Sequence, residues 1–581
     1  MRRSLIIFVW VVAISLVSRC VHADIARNDD ADSGNPIDEF VFASLQKHDI
    51  PPSEQSTDTE FLRRLSLTTI GQLPTPAEVR AFVADSHPDK RDRKIDELLR
   101  HDLHAAVWAT EFCELTGSSS ETLAGADDEK IDLAQMWHEW LRVRFAQNQP
   151  YDELVRAIVT ATSRGESSVS DWIDEQAAIT LAAREGTPTS YADRASLDLF
   201  WRRSDVEDKY PTREVAERIA SRFMGVRINC ARCHDHPFDQ WTQEDYRGFS
   251  RIFERVRYGM SPELRREVAK RIQQRREALA AGDAAPPALP RLTEVYLADV
   301  ESSFADVEAT PLGGPPLDEG ATDPRIEFAD WLTHPENEFF ARNFVNRVWD
   351  HYFGRGLVAP LDGHSVGAGG AHSRLLDELA TRFVASGYDI RQLERMVLTS
   401  RTWQLSSRAQ DADSANSDYL ARARVRIPSP AVVVDMWHGA TGIDRDYGID
   451  KLGGLKAVEL GSSRLPNSRW DRFLRLFGQT GRTETCDCTP KGHPTIRQTL
   501  VLMSDPQLLT DISGGHLQQL LASELSDAEL VDELFLRTVS RWPTDSERTA
   551  ALDACAVGNR GEKFEDILWG LLNTQEFLTI H

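Results

Sequence analysis

The sequence predicts a mainly α fold of two helical domains, with a small β-containing or irregular linker region between them. Three observations lead to this prediction. Apolar residues recur at helical spacing along most of the chain, helix-start motifs occur near both ends, and a Pro- and Gly-rich segment at 281–322 interrupts the pattern. The predicted domain limits are 36–257 for the first helical domain, 258–322 for a basic helix and the linker, and 323–577 for the second helical domain.

Two segments have the sequence of a capping box, in which a Thr and a Glu three residues later cap the start of a helix. One box joins Thr75 to Glu78, and the other joins Thr544 to Glu547. The neighbouring leucines and threonines of the two boxes also correspond, at an offset of 469 residues. We therefore expect one helix–turn–helix element to occur in each half of the chain.

The remaining helices are predicted from apolar residues spaced three and four apart. In chain order they lie at about 90–101, 129–146, 151–163, 212–227, 243–257, 325–353, 373–386 and 390–402. Within the linker, Val295-Tyr296-Leu297 indicates a strand, so we expect a strand pair in this region.

A basic helix is predicted at 262–281, with Leu264, Val268, Ile272 and Leu279 on one stripe and six Lys or Arg residues around it. Because the rest of the chain is acidic, we expect this helix to fold onto the protein's own acidic body. The alternative is docking to an anionic surface or an acidic partner.

Composition excludes several classes of protein. The chain has 581 residues, and its 67 basic and 91 acidic residues give a net charge of −24. A surface this acidic repels phosphate backbones, which argues against nucleic acid as a partner. With 41% hydrophobic and 27% charged residues, the composition is that of a globular protein rather than a disordered one.

Residues 1–23 have the pattern of a secretory signal peptide: Arg2 and Arg3, an apolar run from Leu5 to Val17, and small residues before a cleavage site after Ala23. The apolar run is shorter than the roughly 20 residues of a membrane span, and no later segment reaches that length. We therefore expect a secreted or periplasmic protein with no transmembrane span in the mature chain. In an oxidising compartment, its six remaining cysteines should be bonded, metal-bound or attached to a cofactor.

The strongest chemical signal is Cys230-Ala231-Arg232-Cys233-His234. This is the c-type haem attachment motif: two thiols about one helical turn apart form thioethers with the vinyl groups, and the following imidazole binds the iron. The sequence predicts one covalent haem c, held by Cys230 and Cys233, with His234 as the proximal iron ligand.

Two other interpretations of the same cysteines remain open. They could form a disulfide, or half of a structural zinc site completed by Cys486 and Cys488. Cys486 and Cys488 are too close in sequence to bond to each other without strain, so separate partners are more natural. Cys113 and Cys555 are available for that role, although pairing cannot be deduced from sequence.

Long stretches of the chain resemble the planctomycete cytochrome-like domain family of unknown function and its usual C-terminal partner domain. The first resemblance rests on residues 37–41, 63–66, 74–75, 230–239 and 241–246, and the second on 329–332, 340–349, 353–358, 400–406 and 486–488. The resemblance implies an extracytoplasmic location and a c-type haem, with no settled reaction. Residues that could supply a distal iron ligand are Met224, Met260, His351 and His372. The resemblance favours the two histidines, because His351 lies between the matched segments 340–349 and 353–358 and His372 keeps a histidine that the family has before the helix at 373.

These observations predict an extracytoplasmic c-type haem protein with a redox role, either electron transfer or a haem-dependent oxidative step in catabolism. The redox partner, a protein or a small molecule, is not specified by the sequence, and neither is whether the protein is an enzyme. The alternative is a non-enzymatic binding or scaffold protein whose cysteines form disulfides or a zinc site.

Overall fold

The computed structural model describes residues 34–125, 129–203, 211–318, 320–363, 372–408, 419–443, 445–449, 454–484, 495–555 and 558–581. The protein is mainly helical: 58% of the described residues lie in helices and their sheet has two strands, so the predicted fold class is confirmed. Residues 1–23 and the pair Cys486 and Cys488 lie outside the described residues.

The first half of the chain consists of short helices joined by short connections. Their bounds are α1 Pro36–Lys47, α2 Asp58–Thr69, α3 Pro76–Ala84, α4 Lys90–Leu98, α5 Asp102–Thr116, α6 Lys130–Ala146, α7 Tyr151–Val159, α8 Val169–Glu185, α9 Pro211–Ile219, α10 Gln243–Arg251 and α11 Pro262–Ala281. Both predicted capping boxes form, and Thr75 and Thr544 each accept the backbone N–H of the glutamate three residues on.

The second half continues in the same way. Its helices are α12 Pro324–Leu332, α13 Phe340–Phe353, α14 Ser373–Ala385, α15 Ile390–Leu398, α16 Pro430–Thr441, α17 Ser468–Leu476, α18 Ile496–Ser504, α19 Pro506–Ser513, α20 Gly515–Leu521, α21 Asp527–Val539, α22 Asp545–Cys555, α23 Arg560–Leu572 and α24 Gln575–Leu578. None of the described helices is both long enough and apolar enough to cross a membrane.

A small sheet has one strand in the predicted linker segment and its other strand before α11, outside the segment where the pair was expected. Strand β1, Val256–Gly259, pairs antiparallel with β2, Glu294–Leu297, so that Val256 is opposite Leu297. The predicted strand at 295–297 is thus confirmed. The helix predicted at 243–257 ends earlier, at Arg251, because the chain turns there to enter β1.

Two other helix predictions need correction. The stretch 325–353 forms two helices rather than one, because Pro335 cannot continue a helix and the break falls between Leu332 and Phe340. The helix predicted at 212–227 is α-helical only as far as Ile219 and continues as a π-helical turn, Ala220–Met224.

Aromatic side chains from both halves share one core. Tyr151 of α7 stacks on Phe344 of α13 with ring centroids 3.8 Å apart, and Phe112 of α5 contacts the same ring at 6.2 Å. Residues 35–581 accordingly form one compact unit. The domain limits at 257 and 323 stay a prediction from the sequence.

The basic helix α11 lies on the acidic helix α8 of the same chain, as expected, and most of its basic side chains are exposed. Of its twenty residues, all of which the structure describes, Leu264 alone is buried. Leu264 joins Trp172 and Ile173 of α8 in a small hydrophobic cluster, and Arg271 binds Asp174 of α8. The cluster around Leu264 and the Arg271–Asp174 pair hold this helix on α8, and most of its surface remains exposed.

Candidate functional site

The predicted haem motif lies on a short turn between α9 and α10. After the π-helical turn, Gly225 takes a left-handed conformation with φ +71°, which ends the helix and redirects the chain. A 3₁₀ turn, Asn229–Arg232, follows. Within the motif Ala231 is buried and anchors the turn, whereas Cys230 and Cys233 on either side of it face the solvent.

The motif presents two free thiols and an imidazole. Cys230 and Cys233 are unbonded and exposed, as is His234. The Nδ1 atom of His234 lies 2.8 Å from the carbonyl oxygen of Asp235. A carbonyl oxygen only accepts hydrogen bonds, so Nδ1 carries the proton and the lone pair is on Nε2. This is the tautomer that a histidine needs in order to bind a metal through Nε2.

The loop after the motif is held by its own backbone. His236 donates its backbone N–H to the carbonyl oxygen of Trp241 at 2.8 Å, and the carboxylate of Asp235 accepts the N–H of Gln243 at 2.9 Å. These two bonds close the loop and fix the position of His234 relative to α10. His236 itself is only partly exposed, and its Nδ1 accepts the N–H of Phe238.

The aromatic residues near the motif divide into two kinds. Trp241 is buried against Phe339 of the second half, and Tyr246 is buried with its hydroxyl donating to Glu217 at 2.9 Å. Both belong to the core rather than to an open cofactor surface. Phe238, by contrast, is 92% exposed, four residues after His234. Sequence reasoning missed this residue, although a Phe in a loop of charged residues was a readable signal.

Two segments of the chain match known protein families. Residues 36–258 match PSCyt2, a protein of unknown function (DUF1549). Residues 324–453 match PSD1, also a protein of unknown function (DUF1553). No curated protein and no solved structure matches the chain. The cysteine motif lies in the PSCyt2 region, and α13 lies in the PSD1 region.

The PSD1 region holds the segment that leads into the motif. Asn343 of α13 donates to the carbonyl oxygen of Arg222 at 2.6 Å, and Arg347, one turn further on, donates to the carbonyl oxygen of Ser221 at 3.2 Å. Ser221 and Arg222 belong to the π-helical turn, whose carbonyl groups lack the regular α-helical pairing. Two side chains of the PSD1 region therefore supply hydrogen bonds to that turn.

A buried carboxylate adds a third connection. Asp362, fully buried in the PSD1 region, accepts the hydroxyl of Ser221 at 3.2 Å and forms an ion pair of 2.5 Å with Arg227. Arg227 lies three residues before Cys230. The turn that carries the motif thus rests on side chains from a region more than one hundred residues away in sequence.

The candidate distal ligands lie in different surroundings. His351 is mostly buried; its Nε2 lies 2.8 Å from the carbonyl oxygen of Thr68 and its ring packs on Trp108 at 4.9 Å. As an iron ligand it would have to give up the bond to Thr68. His372 is half-buried at the start of α14, where its carbonyl oxygen accepts the first helical N–H. Met224 is fully buried in the main core, and Met260 packs against the small α8–α11 cluster.

The other cysteines give no completed metal or disulfide site in the part of the chain that the structure describes. Cys113 is a free thiol in the main core, where burial raises its pKa to about 12. Cys555 is a half-buried free thiol at the end of α22. The described residues gather no group of three or more His, Cys, Asp or Glu side chains suited to a metal ion. Cys486 and Cys488, the predicted partners, lie outside those residues.

Proposed function

We propose that this protein carries one covalent c-type haem outside the cytoplasm and has a redox role. Cys230 and Cys233 would form the thioether bonds, and His234 would bind the iron through Nε2. The observation that carries the proposal is the joint exposure of two free thiols on one short turn, next to an imidazole whose Nδ1 proton is already held by the Asp235 carbonyl.

The exposed ring of Phe238 supports the same proposal. The ring of Phe238 is 92% exposed and is therefore available to contact a bound group. Here the ring follows the motif on the loop that the thiols begin. A porphyrin attached at Cys230 and Cys233 would offer apolar surface that the ring of Phe238 could contact.

When bound, the haem supplies one-electron redox chemistry at its iron. The chain's own residues would attach and orient it. The buried Ala231 fixes the turn between the two cysteines, and the Asp235 carbonyl fixes the ring of His234. Asn343, Arg347 and Asp362 hold the preceding turn in place.

The proposed location outside the cytoplasm rests on the signal-peptide pattern of residues 1–23 and on the chemistry of attachment. Covalent attachment requires reduced thiols and a maturation system on the outer side of the membrane. The planctomycete cytochrome-like resemblance of the motif region adds to this argument, and residues 230–234 lie within the segment that matches PSCyt2.

Expression with the native leader, in a host that matures c-type cytochromes, tests the proposal. We expect the denatured and reduced chain to retain haem, seen as a pyridine haemochrome band at one haem per chain. The Cys230→Ala/Cys233→Ala variant should lose this band, and Cys555→Ala, the matched control at a distant thiol, should keep it. A wild-type chain without the band would refute haem attachment. If that chain instead binds about one zinc and unfolds with a chelator, the structural-metal alternative gains support.

A further inference from the structure

Helices α8 and α11 carry an unusual share of exposed apolar surface. Eight large hydrophobic side chains are exposed among the described residues, and three of them lie on this pair of helices. Leu181 of α8 is 56% exposed, and Ile272 and Leu279 of α11 are 41% and 58% exposed. The two helices touch each other through other residues, namely Trp172, Ile173 and Leu264.

The exposed residues form one stripe on each helix. The α8 stripe consists of exposed residues spaced three, four, three and four apart: Asp171, Asp174, Ala178, Leu181 and Glu185. The α11 stripe is spaced four, three, four and three apart: Arg265, Ala269, Ile272, Arg276 and Leu279. This alternation of threes and fours is the spacing by which one helix face packs along another.

The two stripes carry opposite charge. Helix α8 has four acidic residues and one basic residue, whereas α11 has six basic and three acidic residues. Within one protomer the charges meet where Arg271 binds Asp174. Most of both stripes remains open to solvent, because the contact between the helices uses a different face.

The spacings of the two stripes coincide when the helices run antiparallel. In that alignment Asp174 lies opposite Arg276 and Glu185 lies opposite Arg265, so two of the five layers pair opposite charges, while Asp171 at one end lies opposite Leu279. Between them, Ala178 lies opposite Ile272 and Leu181 opposite Ala269, so each large side chain faces a small one. In a parallel alignment, each three-residue spacing of one stripe lies beside a four-residue spacing of the other, so the residues of the two stripes no longer lie opposite each other.

We propose that this surface binds a second copy of the same chain, in a two-fold dimer in which the α8 stripe of each protomer packs antiparallel on the α11 stripe of its partner. Every copy carries both stripes, so a two-fold axis forms the contact twice and closes the assembly. The acidic net charge of the whole chain argues against an anionic membrane, which would repel most of the molecule, and the opposite charges of the two stripes favour a second copy. The inference does not depend on haem.

Sedimentation velocity of the purified full chain tests the proposal. We expect a dimer that weakens as salt rises, because two of its layers are exposed ion pairs. Glu185→Arg or Arg265→Glu alone should raise the dissociation constant about tenfold or more, since each places like charges in one layer. The double variant Glu185→Arg/Arg265→Glu should recover much of the lost affinity. Arg266→Glu, an exposed change on another face of α11, is the matched control and should leave the dimer intact.

Four results would overturn the inference. The chain could be a monomer at all concentrations, or its dimer could be insensitive to the single charge reversals. The double variant could bind no more tightly than the single variants, or the monomer could bind to anionic vesicles in a way that Arg276→Glu abolishes. All of these positions are exposed, so the variants should fold like the wild type. Circular dichroism and thermal unfolding check this for each one.

Discussion

Asn343 on α13 donates a hydrogen bond of 2.6 Å to the carbonyl oxygen of Arg222, in the π-helical turn that leads into the cysteine motif. Asn343 is fully buried, and this bond joins residues 121 positions apart. It connects the PSD1 region to the segment of the PSCyt2 region on which the proposed chemistry depends. The geometry of the motif is therefore a property of both regions.

Replacing Asn343 tests this connection. We expect Asn343→Ala to lower the free energy of unfolding by about 1–3 kcal/mol, because it leaves the Arg222 carbonyl buried without its partner. Urea unfolding measures the change. The control Asn573→Ala removes an amide that bonds to Trp569 on its own helix, so its cost should be smaller. In a haem-loaded preparation, Asn343→Ala should also reduce the yield of attachment, and equal yields would argue against a positioning role.

The two histidines of the motif loop should behave differently. We expect His234→Ala to change the visible absorption spectrum of the haem-loaded protein, because it removes the proposed iron ligand while the thioether bonds remain. His236→Ala should leave the spectrum nearly unchanged. The backbone N–H of His236, which bonds to the carbonyl oxygen of Trp241 and helps to hold the loop, is still present in this variant. A spectrum altered by His236→Ala and not by His234→Ala would reverse the assignment of the ligand.

Phe238 provides a test that separates folding from cofactor binding. Because its ring is almost fully exposed, Phe238→Ala should change the unfolding free energy of the haem-free protein by less than about 0.5 kcal/mol. In the haem-loaded protein, the same change should shift the reduction potential, because solvent gains access to the porphyrin face. Leu500→Ala, at another exposed apolar residue, should shift neither quantity. An unshifted potential in Phe238→Ala would place the haem face elsewhere.

The buried carboxylate of Glu394 predicts a pH dependence of stability. Its oxygens accept bonds from His104, Trp108 and Tyr352. Burial acts to raise the pKa of Glu394, but the charge and hydrogen bond of His104, with those of Tyr352 and Trp108, outweigh it and leave the pKa below its usual range. The ionised form is thus favoured in the folded state. Its stabilisation is present above the unfolded pKa of about 4.3 and is lost as the pH falls through the folded value.

We therefore expect Glu394→Gln to lower the unfolding free energy at neutral pH, on the order of 3 kcal/mol, and to flatten its fall between neutral and acidic pH. Urea unfolding across this pH range measures both effects. Glu378→Gln, at a half-exposed carboxylate paired with Arg382 on the same helix, should cost less than about 1 kcal/mol and keep the wild-type pH profile. A parallel pH profile for Glu394→Gln and the wild type would contradict this account.

Local signals in the sequence predicted local structure well. The capping boxes at Thr75 and Thr544 form as expected, because each depends on contacts within four residues. The break near Pro335 also has a local cause. The apolar spacing on both sides of the proline predicts one helix at 325–353, but the proline ends the first helix and a second begins at Phe340. The π-helical turn at Ala220–Met224 depends on side chains from α13, which no local pattern contains.

The same distinction applies to the candidate site. Cys230, Cys233 and His234 could be singled out because the motif is contiguous. The support from Asn343, Arg347 and Asp362 could not, since it depends on which distant segments meet. The charge of helix α11 predicts that it lies on acidic parts of its own chain, and it does, but the sequence does not show that α8 is its partner. The contact of Leu264 with Trp172 and Ile173, and the Arg271–Asp174 pair, depend on segments about 90 residues apart.

The stacked pair of Tyr151 and Phe344 has a consequence for the history of this gene. Each ring covers the other, so a chain carrying the PSCyt2 region alone would leave Tyr151 and its neighbours open to water. If recombination separated the two regions, aromatic residues that are now buried would become exposed. Several of them would have to be replaced by polar residues for either product to be soluble. The two regions are therefore expected to be inherited as one piece, and a shortened descendant should be recognisable by changes at these buried aromatic positions.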